Sequence, residues 1–337
     1  ANRLGWSHQT FAEFLAAWYV ARHNLGTEEV LSLITHPADT QKQITPQLQE
    51  TAAWLASLQA DIFDQLLETD PILLLRSDVA SFSADLRAKL VDELLGLFAE
   101  EKASDRGLNY RRLKHPGLAA QLLVVIQDKE ANYLARRFAI DVAEACELRE
   151  LQNNLADIIL DETEPDYVRA NAGYALWRIG DADTRRRIKH LAVQGSPNDK
   201  DERVRGVALL CNWNENMSAE EAFASLVHSP QLIDSYSLFL GRFSEKLKVE
   251  DLPVGLRWVK ENASRFEGDY SLGRGIDQIM VLGWRSLDTP GVLSLFAEAS
   301  LVRLRQFHHD VIDLSNIHDG EGSNAEIADA EKRRAAL

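Results

Sequence analysis

The sequence predicts an all-α fold, an α-solenoid of helical hairpins, and three observations carry that expectation. Apolar residues recur every three or four positions through most of the chain, and no alternating apolar–polar run competes with helix. A short motif of arginine and small residues occurs three times near the centre, at separations that fit one helical hairpin per copy. Helix start and stop residues punctuate the chain at short intervals.

The elements follow in order. Thr10-Phe11-Ala12-Glu13 has the spacing of a capping box, and Phe11, Phe14, Leu15 and Trp18 continue from it as one stripe. Asn24 and Gly26 end this helix. A short helix is expected from Thr27 to Ile34, followed by the breaker-rich loop THPADTQKQITP. Pro46 suits a first helical turn, where its missing N–H would have no partner anyway. TAAWLASLQ and ADIFDQLLE are amphipathic; Asp70 caps a helix that begins at Pro71; Ser83 opens a longer one with Leu86, Leu90, Leu94 and Leu97 on one face. KASDRGLNYRRLKHPG connects to GLAAQLLVVIQD, which is apolar nearly all round and is expected to be buried between neighbours. From Ser315 the chain turns polar and loses its large apolar groups.

The repeat lies at Ala135-Arg136-Arg-Phe-Ala139, Val168-Arg169-Ala-Asn-Ala172 and Val204-Arg205-Gly-Val-Ala208, with its arginines 33 and 36 residues apart. Alanine three residues after arginine places a small side chain on the face toward the paired helix, so the two axes can approach closely. Each arginine falls near a helix start, where Asp166 or Asp201 can pair with it and also suit the helix N-terminus. Gly180 closes the middle copy, and Asp181 or Asp183 opens the next helix. The pattern resembles HEAT repeats, most closely in DYVRANAGYALWRIGDAD. LPVGLRWVKENASRF, SLGRGIDQIMVLGWRSL and TPGVLSLFAEASLVRLRQF are expected to continue the stack. Trp177, Trp213, Trp258 and Trp284 recur within it, as core or as the lining of a groove.

Composition bounds the chemistry. The 337 residues are 45% hydrophobic, enough for a sizeable core in two domains or one extended array. No apolar run is long enough to span a membrane, and ANRLGWSHQT lacks the zones of a signal peptide. It also lacks an initiator Met, so a cut fragment is expected. The two cysteines, Cys146 and Cys211, fit a reducing, cytoplasmic compartment. With 52 acidic against 37 basic residues the net charge is -15, which disfavours nucleic-acid binding. The runs Arg111-Arg112-Leu113-Lys114 and Arg185-Arg186-Arg187-Ile188-Lys189 are expected as solvated helix faces, able at most to touch a phosphate. His308, His309, Asp310, His318 and Asp319 invite a metal reading, but adjacent histidines on a helix point about 100° apart, and no metal site is expected. No nucleophile elbow, zinc-protease motif or phosphate loop occurs, so no enzyme is expected.

The opening WSHQTFAEFLAA resembles the end of the winged-helix segment of NACHT-type signal-transducing ATPases, at Trp6, His8, Thr10, Phe11, Glu13, Phe14, Ala16 and Ala17. The stretch ETAAWLASLQADIFDQLLETDPILLLRSDV resembles the helical region that follows the ATPase module in bacterial members. The resemblance implies a C-terminal sensor region whose ATP- or ADP-binding module lies upstream in the full-length protein. It implies that His8 faces the bound diphosphate there; in this chain alone, His8 is expected to cap or pack at a helix start. It also implies a bacterial defence role, with a protein trigger or the upstream ATPase domain as partner, and no cofactor in this chain itself. The expected division is 1–26, the end of the winged helix; 27–128, a helical domain; 129–314, the HEAT-like array; and 315–337, a polar tail. A stand-alone HEAT scaffold is the alternative.

Overall fold

The computed structural model describes residues 8–23, 25–36, 38, 43–103, 109–227, 235–262, 270–305 and 311–312. The expectations placed on Trp6, Asn24, the histidines between 308 and 318, and the tail 315–337 lie outside these. The protein is all-helical: among the described residues the only β pairings are isolated bridges, Thr35 with Ile44 and Trp213 with Met217. It forms two compact units, Ala1–Leu151 and Gln152–Leu337. The division falls inside the expected array, so the Arg136 copy of the motif belongs to the first unit and the other two copies to the second.

The first unit contains α1 (Gln9–Arg22), α2 (Thr27–Ile34), α3 (Gln49–Leu58), α4 (Ala60–Thr69), α5 (Pro71–Leu74), α6 (Ala84–Ala99), α7 (Leu118–Gln127) and α8 (Tyr133–Ala145). Most start where the chemistry of their caps dictates. The Asp70 carboxylate accepts the Leu73 N–H at 3.2 Å ahead of Pro71, and the Ser83 hydroxyl accepts the Leu86 N–H at 3.2 Å. Helix α1 departs from expectation. Its N-cap is His8, not Thr10: His8 is extended, and its Nδ1 accepts the Thr10 N–H at 3.3 Å. Glu13, released from the capping box, accepts from the Gln9 amide at 2.7 Å instead. Gly26 precedes α2 rather than closing α1, and its N–H donates to Glu29 Oε2 at 3.0 Å.

The core of this unit is built from helices packed in near-sequential order. α1 lies on α3, α3 on α4, α5 on α6, α6 on α8, and α8 on α7. Phe14 meets Trp54 edge-on at 5.2 Å, Phe63 meets Phe82 at 4.7 Å, and Phe138 stacks on Phe98 at 4.5 Å and meets Tyr110 edge-on at 5.1 Å. Two apolar expectations need correction. The face of α1 turned to α3 carries Phe14 and Ala17, so Phe11 stays 57% exposed and Trp18 43%. Helix α7 buries Leu118, Leu122 and Ile126 alone, because α8 is its main neighbour, and Val124 on its far side is exposed.

The second unit contains α9 (Gln152–Leu160), α10 (Asp166–Ile179), α11 (Ala182–Arg186), α12 (Lys189–Gln194), α13 (Arg203–Asn212), α14 (Ala219–Ala224), α15 (Ser235–Arg242), α16 (Leu252–Asn262), α17 (Tyr270–Arg285) and α18 (Val292–Arg305). Two series of contacts run through it. α10 packs on α13, α13 on α15, and α15 on α17; α12 packs on α14, α14 on α16, and α16 on α18. The pairs α12–α13 and α16–α17 join one series to the other, and α9 packs on α10. The first series depends on small residues. A Cβ on Gly173 would lie 2.4 Å from the Val207 side chain, and one on Gly206 would lie 2.3 Å from the Tyr236 backbone. Close approach of this kind is what the alanine and glycine positions permit.

Helices α6 and α8 both reverse through a left-handed residue, and in each case it is glutamate. Glu101 has φ 59° and Glu147 has φ 54°. The Lys102 N–H reaches the Leu97 carbonyl at 2.9 Å, and the Leu148 N–H reaches the Ala143 carbonyl at 3.0 Å, the bonding of a Schellman turn. A β-carbon in this region costs energy that glycine avoids. Glu147→Gly is therefore expected to stabilise the protein by about 0.5–1 kcal/mol in urea unfolding. A net loss of stability would show that the side chain, which reaches Arg111 only at 3.7 Å on an exposed surface, outweighs the backbone.

Candidate functional site

The last turn of any helix leaves backbone carbonyls without intrahelical donors. In this protein the three motif arginines supply them. Arg136, on the first turn of α8, donates from Nε and Nη2 to the Ile126 carbonyl at the end of α7, at 3.2 and 3.0 Å. Arg169, on the first turn of α10, donates from Nε to the Ile159 carbonyl at the end of α9 at 2.8 Å, and from Nη1 to the Ser196 hydroxyl at 2.9 Å. Arg205, on α13, reaches the Ala192 carbonyl of α12 at 3.4 Å and the Ser225 carbonyl after α14 at 3.3 Å. The planar guanidinium suits this task because it presents several N–H donors in a fixed fork. Each arginine thereby ties its own helix to the end of the helix before it.

Burial is deep. Arg136 is 3% exposed and Arg169 is fully buried, and Ala139, Ala172 and Ala208 are fully buried beside them. Desolvation pushes the Arg169 guanidinium below its ordinary value, opposed by the field of Asp199, Glu162, Asp161 and Asp166. The two expected aspartates do something other than pair with these arginines. Asp166 accepts the Tyr167 N–H at 2.7 Å and acts on Arg169 only through its field, while Asp201 pairs with Arg203 at 3.6 Å. Glu202 and the buried Asp199 hold Arg205 instead, the first at Nε (2.6 Å) and the second at the backbone N–H (2.9 Å). The physical reason is depth: helix-end carbonyls lie within reach of an inward-pointing arginine, and they need a donor more than a solvated carboxylate does.

At the turn after α10, Asp181, not Asp183, opens the next helix. It accepts the Thr184 N–H at 2.8 Å and the Gln152 amide at 2.9 Å, and these bonds hold its carboxyl below the usual range. The basic run that follows is not a free cationic face. Arg187 pairs with Asp157 at 2.5 Å, Arg185 with Glu215 at 2.7 Å, Lys189 with Glu221 at 2.7 Å, and Arg186 with Asp183 at 3.1 Å. In the first unit, Arg111 faces Glu147 and Arg112 faces Asp78. Three of these partners, Asp157, Glu215 and Glu221, lie about one hairpin away in sequence. That periodicity in complementary charge is a signal by which they could have been found. Ser196, Asp199 and the buried pair Asp277–Arg303, at 2.7 Å between α17 and α18, carry no such signal.

Trp213, Trp258 and Trp284 are buried; Trp177 is half-exposed, with Arg178 4.5 Å and Arg242 5.8 Å from its ring centre. Burial pushes the Cys146 thiol up to about 11 and the Cys211 thiol up to about 12, so neither is poised as a nucleophile. No group of metal-ligating side chains occurs among the described residues, and none of their helices is long and apolar enough to cross a membrane. His8 is exposed at the start of α1, where its contact is the cap it provides. Comparison of the chain with protein-family models, curated proteins and solved structures gave no match.

Replacing Arg169 with Met leaves the buried Ile159 carbonyl without its donor and takes the partner from the half-buried Ser196 hydroxyl. At about 1–3 kcal/mol for an orphaned buried carbonyl, the expected loss is roughly 1–3 kcal/mol. Arg169→Lys is expected to recover only part of it, since one ammonium cannot reproduce the fork. Urea unfolding of both variants checks this; a loss under about 0.5 kcal/mol would contradict the role. A second expectation concerns Glu221, whose carboxyl is held below its ordinary 4.5 first by Lys189 and then by the Ser218 backbone. Its folded value is the lower one, so its contribution is complete above the unfolded value and is lost as pH falls through the folded value. Glu221→Gln should therefore flatten the acid limb of stability against pH, and an unchanged limb would contradict it.

Proposed function

We propose that the chain is a non-catalytic recognition region: an α-solenoid of HEAT-like hairpins within a NACHT-type signal-transducing ATPase, binding a protein trigger in a bacterial defence system. The observation that carries this reading is the recurring clamp of Arg136, Arg169 and Arg205 on the end of the preceding helix, together with the serial packing of the second unit. Helical hairpins that lean only on their neighbours leave broad surfaces free for a partner. The charge balance favours protein over nucleic acid. The chain carries -15, and the arginines of its longest basic run are already engaged by carboxylates.

The likeness of WSHQTFAEFLAA to the winged-helix end supports the ATPase context. In that context ATP or ADP is held by the upstream module, and His8 is the residue of this chain that turns toward the diphosphate. A trigger that binds the released state more tightly than the resting one shifts the ATPase toward signalling by that difference in affinity. The protein works in the cytoplasm on this reading.

The full-length protein tests it. Purified wild type is expected to retain ADP and, when exposed to its trigger, to hold a protein partner at both low and high salt, while His8→Ala loses the nucleotide. Unchanged nucleotide retention in the variant removes the sensor role. Salt-sensitive capture of DNA or RNA in place of protein overturns the trigger assignment.

A further inference from the structure

Between α14 and α16 the surface sinks into a hollow of about 420 Å³. Its floor is aromatic: Phe223 and Trp258 lie with ring centres 5.5 Å apart, and both are largely buried. Glu220, Arg257 and Glu261 stand on its rim. The walls are held in place. Ser218 and Glu221 close a capping box at the start of α14, the Ser218 hydroxyl accepting the Glu221 N–H at 3.2 Å and Glu221 accepting the Ser218 N–H at 3.0 Å. Lys260 on α16 is pinned to Glu298 of α18 at 2.6 Å.

Glu221 is taken by Lys189 and Lys260 by Glu298, yet their sequence neighbours Glu220 and Glu261 make no hydrogen bond or ion pair among the described residues, and neither does Arg257. Two carboxylates and one guanidinium thus surround a base that holds the two largely buried rings. Volumes of this order hold small ligands or a pair of side chains, and buried aromatics are the usual anchors of tight contacts.

We propose that this hollow receives a peptide segment of a protein partner, an apolar side chain seated against Trp258 with an adjacent lysine or arginine drawn to Glu220 and Glu261. Arg257 donates to the backbone carbonyls of that segment, which a peptide supplies at every residue. The rim carries two negative charges against one positive on a chain of net charge -15, so a cation is attracted and a phosphodiester is repelled. The inference rests on the protein-trigger reading and specifies what the trigger presents.

The test follows the Trp258 indole N–H resonance of the nitrogen-15-labelled chain, assigned by its loss in Trp258→Phe. Two blocked dipeptides, acetyl-Leu-Lys-amide and acetyl-Leu-Glu-amide, are titrated. The lysine peptide is expected to shift the resonance with at least about fivefold tighter apparent binding than the glutamate peptide, about 1 kcal/mol by RT ln K. The double variant Glu220→Gln with Glu261→Gln is expected to bring the two within about twofold, its free spectrum otherwise unchanged. No shift of the indole, equal binding of both peptides, or a shift produced only by a short oligonucleotide overturns the proposal. Selective peptide binding by a full-length protein that holds no protein partner would leave the hollow standing and remove the trigger reading. Partner capture unaffected by the double variant, with no peptide shift, would do the reverse.

Discussion

The end of a helix is an electrostatic problem, and this protein solves it the same way three times. Carbonyls on the last turn need donors, and in a helix buried by its neighbours water cannot provide them. Arg136, Arg169 and Arg205 each come from the helix that follows and take a carbonyl of the helix that precedes. The bond fixes the end of one helix and the start of the next together. Removing the donor does more than delete a contact, because it leaves a desolvated acceptor behind.

The second unit builds on this by close packing. Its helices are short, and several would be marginal alone. Their stability comes from the face each presents to the next. Ala172, Ala208, Gly173 and Gly206 keep those faces flat, and a β-carbon on either glycine would collide with the adjacent helix. Charge then works at the edges. Asp157, Glu215 and Glu221 take Arg187, Arg185 and Lys189 from neighbouring helices, which engages the cations of that basic run.

Helical content, most helix starts and the recurring arginine motif were legible in the sequence because they follow from local rules: period, capping residues, and one arginine with alanine three positions on. The partners of those arginines were not. A carbonyl has no signature in the sequence, so Ile126 and Ile159 could not be told from any other apolar residue. Asp166 and Asp201 drew attention as charges, whereas burial made the carbonyl the better acceptor. The capping box at Thr10 did not form, because the imidazole nitrogen of His8, a residue expected to cap or pack at a helix start, takes the Thr10 N–H. The stripe of Phe11, Leu15 and Trp18 had the right spacing for a buried face, but spacing cannot say which of two apolar faces meets the neighbour; α3 takes the one with Phe14 and Ala17.

Amide hydrogen exchange in the native chain and in Arg169→Met tests the central claim most directly. If the arginine joins neighbouring helices, the variant loses protection at the end of α9, at the start of α10 and in α13 against which α10 packs, while α17 and α18 keep theirs. Loss confined to the residues flanking position 169, with α9 and α13 as protected as before, would contradict it.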